Sequence, residues 1–266
     1  MEEKISAFVI TKNEEEKIEN CLNHLLWADE IIILDSKSTD NTVKKARKYT
    51  KKVFSREFDG YGTQKQAAID KCTNNWILEV DADEIVTKEL QEEIIKLKQS
   101  QEINKYAGYT IQRQEYFLNK KLMVSKIPRL YKKENVKYKG YIHENLDIKG
   151  SIGHLKNKIE HESDKYESIA KRVEKINEYT KKEAEYKIKE QQWTTPKVLL
   201  NMIIIPECYF LWFYLRKALI LKGYRGLIWS LLTAYYHFLI YAKLYEYIYK
   251  AKEVSKSKKY NEKNQN

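Results

Sequence analysis

Cysteine is scarce in this chain of 266 residues, and the three that occur, Cys21, Cys72 and Cys208, are far apart. No pairing and no metal-binding spacing is visible among them, so we expect reduced core thiols in a cytosolic protein. The N-terminus runs straight into an apolar segment without the pattern of a secretory signal, and export is therefore not expected.

A long uninterrupted hydrophobic run is also missing. Residues 198–215 are broken by Asn201, Pro206 and Glu207, and residues 227–242 by a few polar side chains. Neither segment reaches the roughly 20 clean apolar residues that cross a bilayer comfortably. Dense aromatics with Arg and Lys at the flanks favour helices that lie in the inner membrane surface. A helical hairpin packed on its own domain or in a dimer is one alternative, and a true span is another.

The charge is unbalanced, with 49 Lys and Arg against 38 Asp and Glu, a formal net charge of +11. Such an excess indicates an anionic partner: nucleic acid, a phospholipid surface or a phosphorylated substrate. A nucleic-acid binder would gather cations and stacking aromatics on one face. Here both concentrate around the two apolar segments, so we expect no nucleic-acid partner.

Short apolar runs alternate with helical patterns over the first hundred residues. This order predicts an α/β fold with a mostly parallel sheet covered on both faces. Ligands of such sheets bind beyond the carboxyl ends of the strands, where Thr11, Asp35 and Asp81 fall. Paired strands follow at 109–117 and 121–131, and then a long polar helix at 166–191.

The predicted organisation has three parts. A domain over 1–192 divides into a first half at 1–100 and a second half, with the long helix, at 101–192. Membrane-associating helices occupy 193–249, and a Lys-rich tail at 250–266 is expected to be disordered.

The triplet Asp81-Ala82-Asp83 ends the apolar run Trp76–Val80. Side chains alternate along a strand, so Asp81 and Asp83 point the same way, with about 7 Å between their Cα atoms. Two hard oxygen donors suit a divalent cation that keeps waters and takes phosphate oxygens. The triplet therefore suggests a phosphorylated substrate, although a polar loop after a buried strand has the same letters.

Three segments resemble family 2 glycosyltransferases, which have the Rossmann-like GT-A fold: Ile5–Glu15, Leu34–Thr42 and Trp76–Glu84. Pro128–Tyr131, Gly140–Glu144 and His161 resemble a bacterial subgroup that extends the lipopolysaccharide inner core. The resemblance implies inverting transfer of a hexose from a UDP-sugar to a lipid-linked glycan, with Mn²⁺ or Mg²⁺. It places the protein on the cytoplasmic face of the cell membrane, with an oligomer through the C-terminal helices as an option.

The same resemblance assigns the nucleotide-sugar to the half at 1–100 and the acceptor to the half at 101–192, and it also assigns the site residues. Asp83 is the expected direct metal ligand, with Asp81 and His161 as further candidates. Glu144 is the expected general base, and His143 is expected either to orient it or to contact phosphate. Nucleotide-sugar contacts are expected from Thr11, Asn13, Glu14, Asp35, Lys65, Asp81, Asp83 and Arg129. Ser36 and Lys37 stand where the family usually has an acid or a glycine, which leaves base recognition open.

Several of these residues have plain structural alternatives. Glu14 suits a helix N-terminus, Lys65 a solvated surface, and Arg129 a structural ion pair. Glu144 could pair with a nearby lysine, and a lone histidine such as His161 is more often structural. At the level of the whole protein, the alternatives are transfer to a polyprenyl phosphate or a peptide side chain, and a degenerate transferase kept as a membrane partner.

Overall fold

The structure is a computed structural model that describes residues 3–139, 145–161 and 168–263. The chain forms two compact units, Met1–Tyr166 and Glu167–Asn266. His143 and Glu144, the predicted catalytic pair, lie outside the described residues.

An eight-stranded sheet is the centre of the first unit, in the order β3-β2-β1-β4-β7-β6-β10-β5. β7 and β5 are antiparallel to their neighbours and the other strands are parallel, which confirms the predicted α/β class. A separate hairpin joins β8 and β9. The strands are β1 Ile5–Thr11, β2 Glu30–Asp35, β3 Val53–Ser55, β4 Trp76–Asp81, β5 Glu84–Val86, β6 Gly108–Phe117, β7 Lys120–Lys132, β8 Val136–Lys139, β9 Asn145–Ile148 and β10 Ile152–His161.

Both faces of this sheet are buried. On β2, Ile31 and Ile33 enter one core cluster, while Ile32 and Leu34 enter the cluster on the opposite face. This period of two, with apolar residues on both sides, is typical of parallel strands covered by helices. The covering helices are α1 Ile18–Asn23, α2 Thr42–Ala46, α3 Tyr61–Lys71 and α4 Lys88–Gln99.

The link between β4 and β5 determines the shape of the sheet around the acidic triplet. β5 follows β4 almost directly in sequence, yet β7, β6 and β10 separate the two in the sheet. Asp81 to Glu84 can span at most about 11 Å, whereas four strand spacings in a flat sheet amount to about 19 Å. The sheet must therefore curl until its edge strand returns to the end of β4. As a result, side chains from five strands converge on the triplet.

The second unit consists of α5 Ile169–Glu190, α6 Thr195–Leu211 and α7 Tyr224–Lys263. The contact boundary at residue 166 lies before the long helix, not after it at 192, because Ala184 of α5 packs with Val198, Tyr241 and Leu244. α7 continues to Lys263, through the stretch for which composition predicts disorder.

By length and composition, one helical segment among the described residues could cross a membrane. It is Thr195–Arg216, with a mean hydropathy of 1.7 and 11% of its most apolar window buried. The expectation that neither C-terminal run is long enough is therefore wrong for this segment. Its last turn, Trp212–Arg216, is π-helical, and this wider turn extends the helical run past Leu211.

Candidate active site

Thr11 and Asp35 lie side by side at the carboxyl ends of β1 and β2. Thr11 Oγ1 donates to Asp35 Oδ1 at 3.0 Å, and the Ser38 amide donates to Asp35 Oδ2 at 2.9 Å. The Ser38 hydroxyl makes a third bond, to Oδ1. A carboxylate has about four acceptor positions. Asp35 is therefore held in one orientation, with capacity for one further donor.

Asn13 and Glu14 tie the loop after β1 to its surroundings. Asn13 has a left-handed backbone, φ 55°, and its Oδ1 accepts from the Thr39 amide at 2.9 Å. Glu14 pairs with Lys17 at 3.0 Å, one helical turn along. The structure thus gives both side chains partners within the protein. The Asn13 contact joins the loop after β1 to the loop after β2, next to Asp35.

Lys65 is buried on α3, which excludes the solvated surface position considered for it. Its Nζ lies 2.8 Å from Glu79 Oε1 and 5.7 Å from the centre of the Tyr138 ring. Sequence reasoning passed over Glu79. The signal was a carboxylate in the middle of the apolar run Trp76–Val80, which requires buried cationic partners.

Arg129, on β7, is 4% exposed and joins three carboxylates. Its Nη2 lies 2.5 Å from Asp81 Oδ2 and 2.9 Å from Glu84 Oε1, while Nη1 donates to Glu79. The structure thus shows the ion pair that was the alternative to a ligand contact. Arg129 also binds one oxygen of the first acid in the triplet.

These cations decide which carboxyl groups stay ionised. Burial alone would raise the pKa of Asp81, but the charges of Arg129 and Lys65 lower it below its usual range. The pKa of Glu79 is lowered in the same way. Burial raises the pKa of Glu84, and Arg129 offsets this only in part. Asp81 is therefore a persistent anion, and Glu84 is the group that takes up a proton more readily.

Asp83 and His161 come together on the other side of the triplet. Asp83 Oδ2 lies 3.2 Å from His161 Nε2, because β10 pairs with β5 and sets His161 opposite Glu84. On its other side, His161 Nδ1 lies 3.6 Å from Glu115 Oε2. The two nitrogens of one imidazole ring therefore face two carboxylates.

Glu115 is a fixed partner for that ring. Its Oε1 accepts from Arg113 Nε and from Ser125 Oγ, each at 2.8 Å. Burial would raise the pKa of Glu115, but His161, Arg113 and Ser125 together lower it to about 2. Sequence reasoning missed Arg113 and Glu115. Their signal was two charged residues at a spacing of two on one face of a strand.

The pair Asp83 and His161 fits a divalent cation. Neighbouring ligands of an octahedral ion lie about 3 Å apart at bonds near 2.1 Å, close to the observed 3.2 Å. A carboxylate behind the imidazole, here Glu115, is the usual support of a metal-binding histidine. Among the described residues no group of three His, Cys, Asp or Glu side chains could hold a metal ion. Mg²⁺, however, commonly takes one or two protein carboxylates and completes its shell with water and substrate phosphates.

The matching family model and the similar curated proteins are all described as glycosyltransferases. The family model described as glycosyl transferase family 2 matches residues 6–155, from β1 into β10. LpsC of Rhizobium meliloti, a lipopolysaccharide core biosynthesis glycosyltransferase, is 28% identical over 254 residues, 91% of this chain and 92% of LpsC. An uncharacterised glycosyltransferase of Rickettsia bellii is 48% identical over 109 residues, 41% of this chain. The match spans 37% of that relative's length.

Among solved structures, Staphylococcus aureus TarS 1–349 aligns over 93% of this chain and 92% of its own, with 17% identity and a TM-score of 0.42.

Proposed function

The chain belongs to glycosyl transferase family 2, and on that premise we propose that it transfers a hexose from a UDP-sugar to a lipid-linked glycan. The observation that carries the proposal is the Asp83–His161 pair beside an Asp81 carboxylate that Arg129 keeps ionised. This set lies at the carboxyl ends of the strands, where α/β sheets bind their ligands.

The nucleoside would bind at Asp35. Its remaining acceptor position suits a uracil N–H or a ribose hydroxyl, since a carboxylate accepts and does not donate. Thr11 and Ser38 hold Asp35 from two sides, so its orientation is set before the nucleoside arrives. Lys65 and Arg129, both buried, pair with Glu79 and Asp81 and so would lessen the repulsion between these carboxylates and a diphosphate.

Asp83 and His161 would hold a Mn²⁺ or Mg²⁺ ion, with Asp81 offering Oδ1 because Arg129 binds Oδ2. Bound there, the ion supplies positive charge to the departing diphosphate. Glu115 would orient His161 through Nδ1 and leave Nε2 directed at the ion.

The acceptor hydroxyl must lose its proton as its oxygen attacks the anomeric carbon and UDP departs. We assign that proton to the Glu144 carboxylate, with His143 orienting it, as the family resemblance implies. A single attack from the face opposite UDP inverts the anomeric centre. One carboxylate suffices because the diphosphate departs without the protonating acid that a glycosidase must supply.

The acceptor is proposed from a relative that matches over most of its length. LpsC is named for lipopolysaccharide core biosynthesis and is covered over 92% of its length. This name supports a cell-envelope glycan as the acceptor. The cytoplasmic face of the membrane is proposed from the family resemblance alone. A panel of lipid-linked glycans, polyprenyl phosphates and peptides, each with UDP-hexoses, tests the acceptor: transfer to peptide alone would refute the lipid-linked acceptor.

Replacing Asp83 tests the metal role. Asp83→Ala should lower transfer by roughly 10³-fold, because a metal at the leaving group supplies several kcal/mol of charge stabilisation. In a thermal-shift screen, a UDP-hexose should stabilise the wild type only when Mn²⁺ is present. The variant should lose this Mn²⁺-dependent stabilisation. Asp70→Ala, which alters an exposed acid of α3, is the control. Full transfer by Asp83→Ala in metal-stripped buffer would contradict the proposal.

Replacing Glu144 tests the base. Glu144→Gln should bind the UDP-sugar with unchanged affinity and turn over roughly 10² to 10⁴ times more slowly, because a positioned general base contributes that much. Glu134→Gln, in the turn between β7 and β8, is the matched control. Normal turnover in Glu144→Gln would mean that another group takes the proton.

A further inference from the structure

We propose that the second unit lies in the plane of an anionic lipid surface on α6 and the turn that follows it, and does not cross the bilayer. The inference rests on the proposed function, because a lipid-linked acceptor is the reason for the enzyme to bind a membrane. It goes further by naming the docking face, its orientation and the charge of the lipid.

α6 carries an apolar surface that its own unit does not cover. Val198 and Met202 pack toward α7, while the opposite side is open: Ile203 is 70% exposed and Leu200 58%. α7 adds a second exposed row at helical spacing: Leu227, Leu231, Tyr235 and Phe238. Apolar surface of this extent marks a contact with lipid or another protein.

The neighbour of α7 argues against a span. α5 runs beside the apolar half of α7: Arg172 stacks over Trp229 at 3.6 Å, and Tyr236 donates to Glu183 at 2.7 Å. Further along, Lys243 Nζ donates to the Asn177 carbonyl at 2.6 Å. Val198 of α6 packs with Ala184 of α5 and with Leu244 of α7. If α6 or α7 crossed the membrane, α5 would therefore have to enter the hydrocarbon with it.

The outer face of α5 is charged and exposed to solvent. It has exposed Lys171, Glu174, Glu178 and Lys181, at spacings of three and four residues. Charged side chains in the middle of a bilayer are costly unless they face protein or a water-filled cavity. The three helices therefore form one layer with a charged side on α5 and an apolar side on α6 and α7. Such a layer matches an interface, not a bilayer interior.

The charges at the ends of α6 indicate the same orientation. Lys197 precedes its apolar residues, and Arg216 and Lys217 follow them. Cations at both ends of a segment hold both ends on the cytoplasmic side. Trp212 is 50% exposed next to these cations, as expected for a ring at headgroup level.

The same cations favour anionic lipid, and not a second copy of the chain, as the partner of this surface. Six basic residues and one acidic residue, Glu207, occur between residues 191 and 245. Four of the basic residues, Arg216, Lys217, Lys222 and Arg225, fall within ten positions of the connecting turn. A second copy would bring like charges together, whereas anionic headgroups would neutralise them.

Vesicle sedimentation of the full chain tests the lipid. The protein should bind phosphatidylcholine vesicles with about 30% phosphatidylglycerol and bind pure phosphatidylcholine weakly. Arg216→Gln with Lys217→Gln should weaken binding roughly 10- to 30-fold, and Leu200→Ser with Ile203→Ser by roughly 10²-fold. Lys181→Gln and Leu26→Ser are the charge and apolar controls and should bind like the wild type.

Labelling tests the orientation. In a Cys208→Ser background, Lys222→Cys and Lys181→Cys should both react with an impermeant maleimide added outside the vesicles. Protection of Lys222→Cys until detergent is added would mean a span and overturn the proposal. Failure to bind vesicles, with a concentration-dependent dimer by sedimentation, would mean that the face is a protein interface.

The assay uses neither donor nor acceptor, so its failure is distinguishable from failure of the proposed reaction. Each α6 variant should keep UDP-sugar binding, which shows that the first unit is folded. Its circular dichroism melt should resemble that of the controls, which shows that the second unit is folded. Vesicle binding without any transfer would refute the proposed function and leave the membrane surface intact.

Discussion

Replacing Arg129 by methionine should strongly destabilise the first unit. The change removes the guanidinium that contacts Glu79, Asp81 and Glu84, and it leaves these carboxylates buried with less compensation. Removing one partner of a buried ion pair typically costs about 3–5 kcal/mol. Lys65 still faces Glu79 at 2.8 Å, which favours the lower end of that range.

Hydrogen exchange of the β4 peptide is the appropriate assay, because it reports on the first unit alone in a chain of two units. The predicted loss of unfolding free energy corresponds to amide exchange that is roughly 10² to 10³ times faster than in the wild type. Arg56→Met is the matched control. Its guanidinium is partly exposed and pairs with Asp59, three residues away, so its loss should cost about 1 kcal/mol or less.

The pH dependence makes the test sharper. Without Arg129, the folded-state pKa of Asp81 should rise above the unfolded value, and that of Glu84, which is already raised, should rise further, because burial then dominates. A raised pKa means that the folded state binds more protons, so the variant regains stability as the pH falls toward about 4.3. Exchange that is unchanged, or faster by the same factor at pH 8 and pH 5, would refute the account of Arg129 as the counter-charge.

Two further predictions concern stability. Glu30→Gln should cost about 2–3 kcal/mol, because the Glu30 carboxylate accepts from Lys52, Ser6 and Thr73. Burial would raise the pKa of Glu30, but these partners lower it to about 2. The wild type should therefore lose stability as the pH falls from about 4.3 toward 2, and thermal melts of the variant should show a smaller loss; equal slopes would contradict this. Gly226→Ala would set a Cβ 1.8 Å from the Leu219 carbonyl oxygen, so we expect about 3 kcal/mol of destabilisation, read as faster exchange of residues 219–230; unchanged exchange there would contradict it.

The fold was predictable because its signals are local. Apolar runs and polar strand ends follow one another along the first hundred residues, and the parallel sheet places Thr11, Asp35 and Asp81 at one edge. The nearness of Asp83 and His161 was predictable for another reason, the family resemblance. Nothing in the local pattern connects residues so far apart in sequence.

The partners that sequence reasoning did not name depend on long-range pairing. Arg129 reaches Asp81 because β7 lies next to β4, and Glu115 reaches His161 because β6 lies next to β10. The spacing of residues along the chain does not predict that either pair of strands is adjacent in the sheet. The boundary at residue 166 is a similar case, since the apolar side of α5 gives no sign of whether its partner precedes or follows it.

The short link from Asp81 to Glu84 also limits how this protein can vary. One inserted residue there would shift Asp83 relative to His161 or break the pairing of β5 with β10. The turn at Leu118 and Asn119, between β6 and β7, carries no such requirement, since it closes a hairpin far along the chain from the triplet. Insertions and grafted segments belong in that turn, while the acidic link is fixed in length as well as in composition.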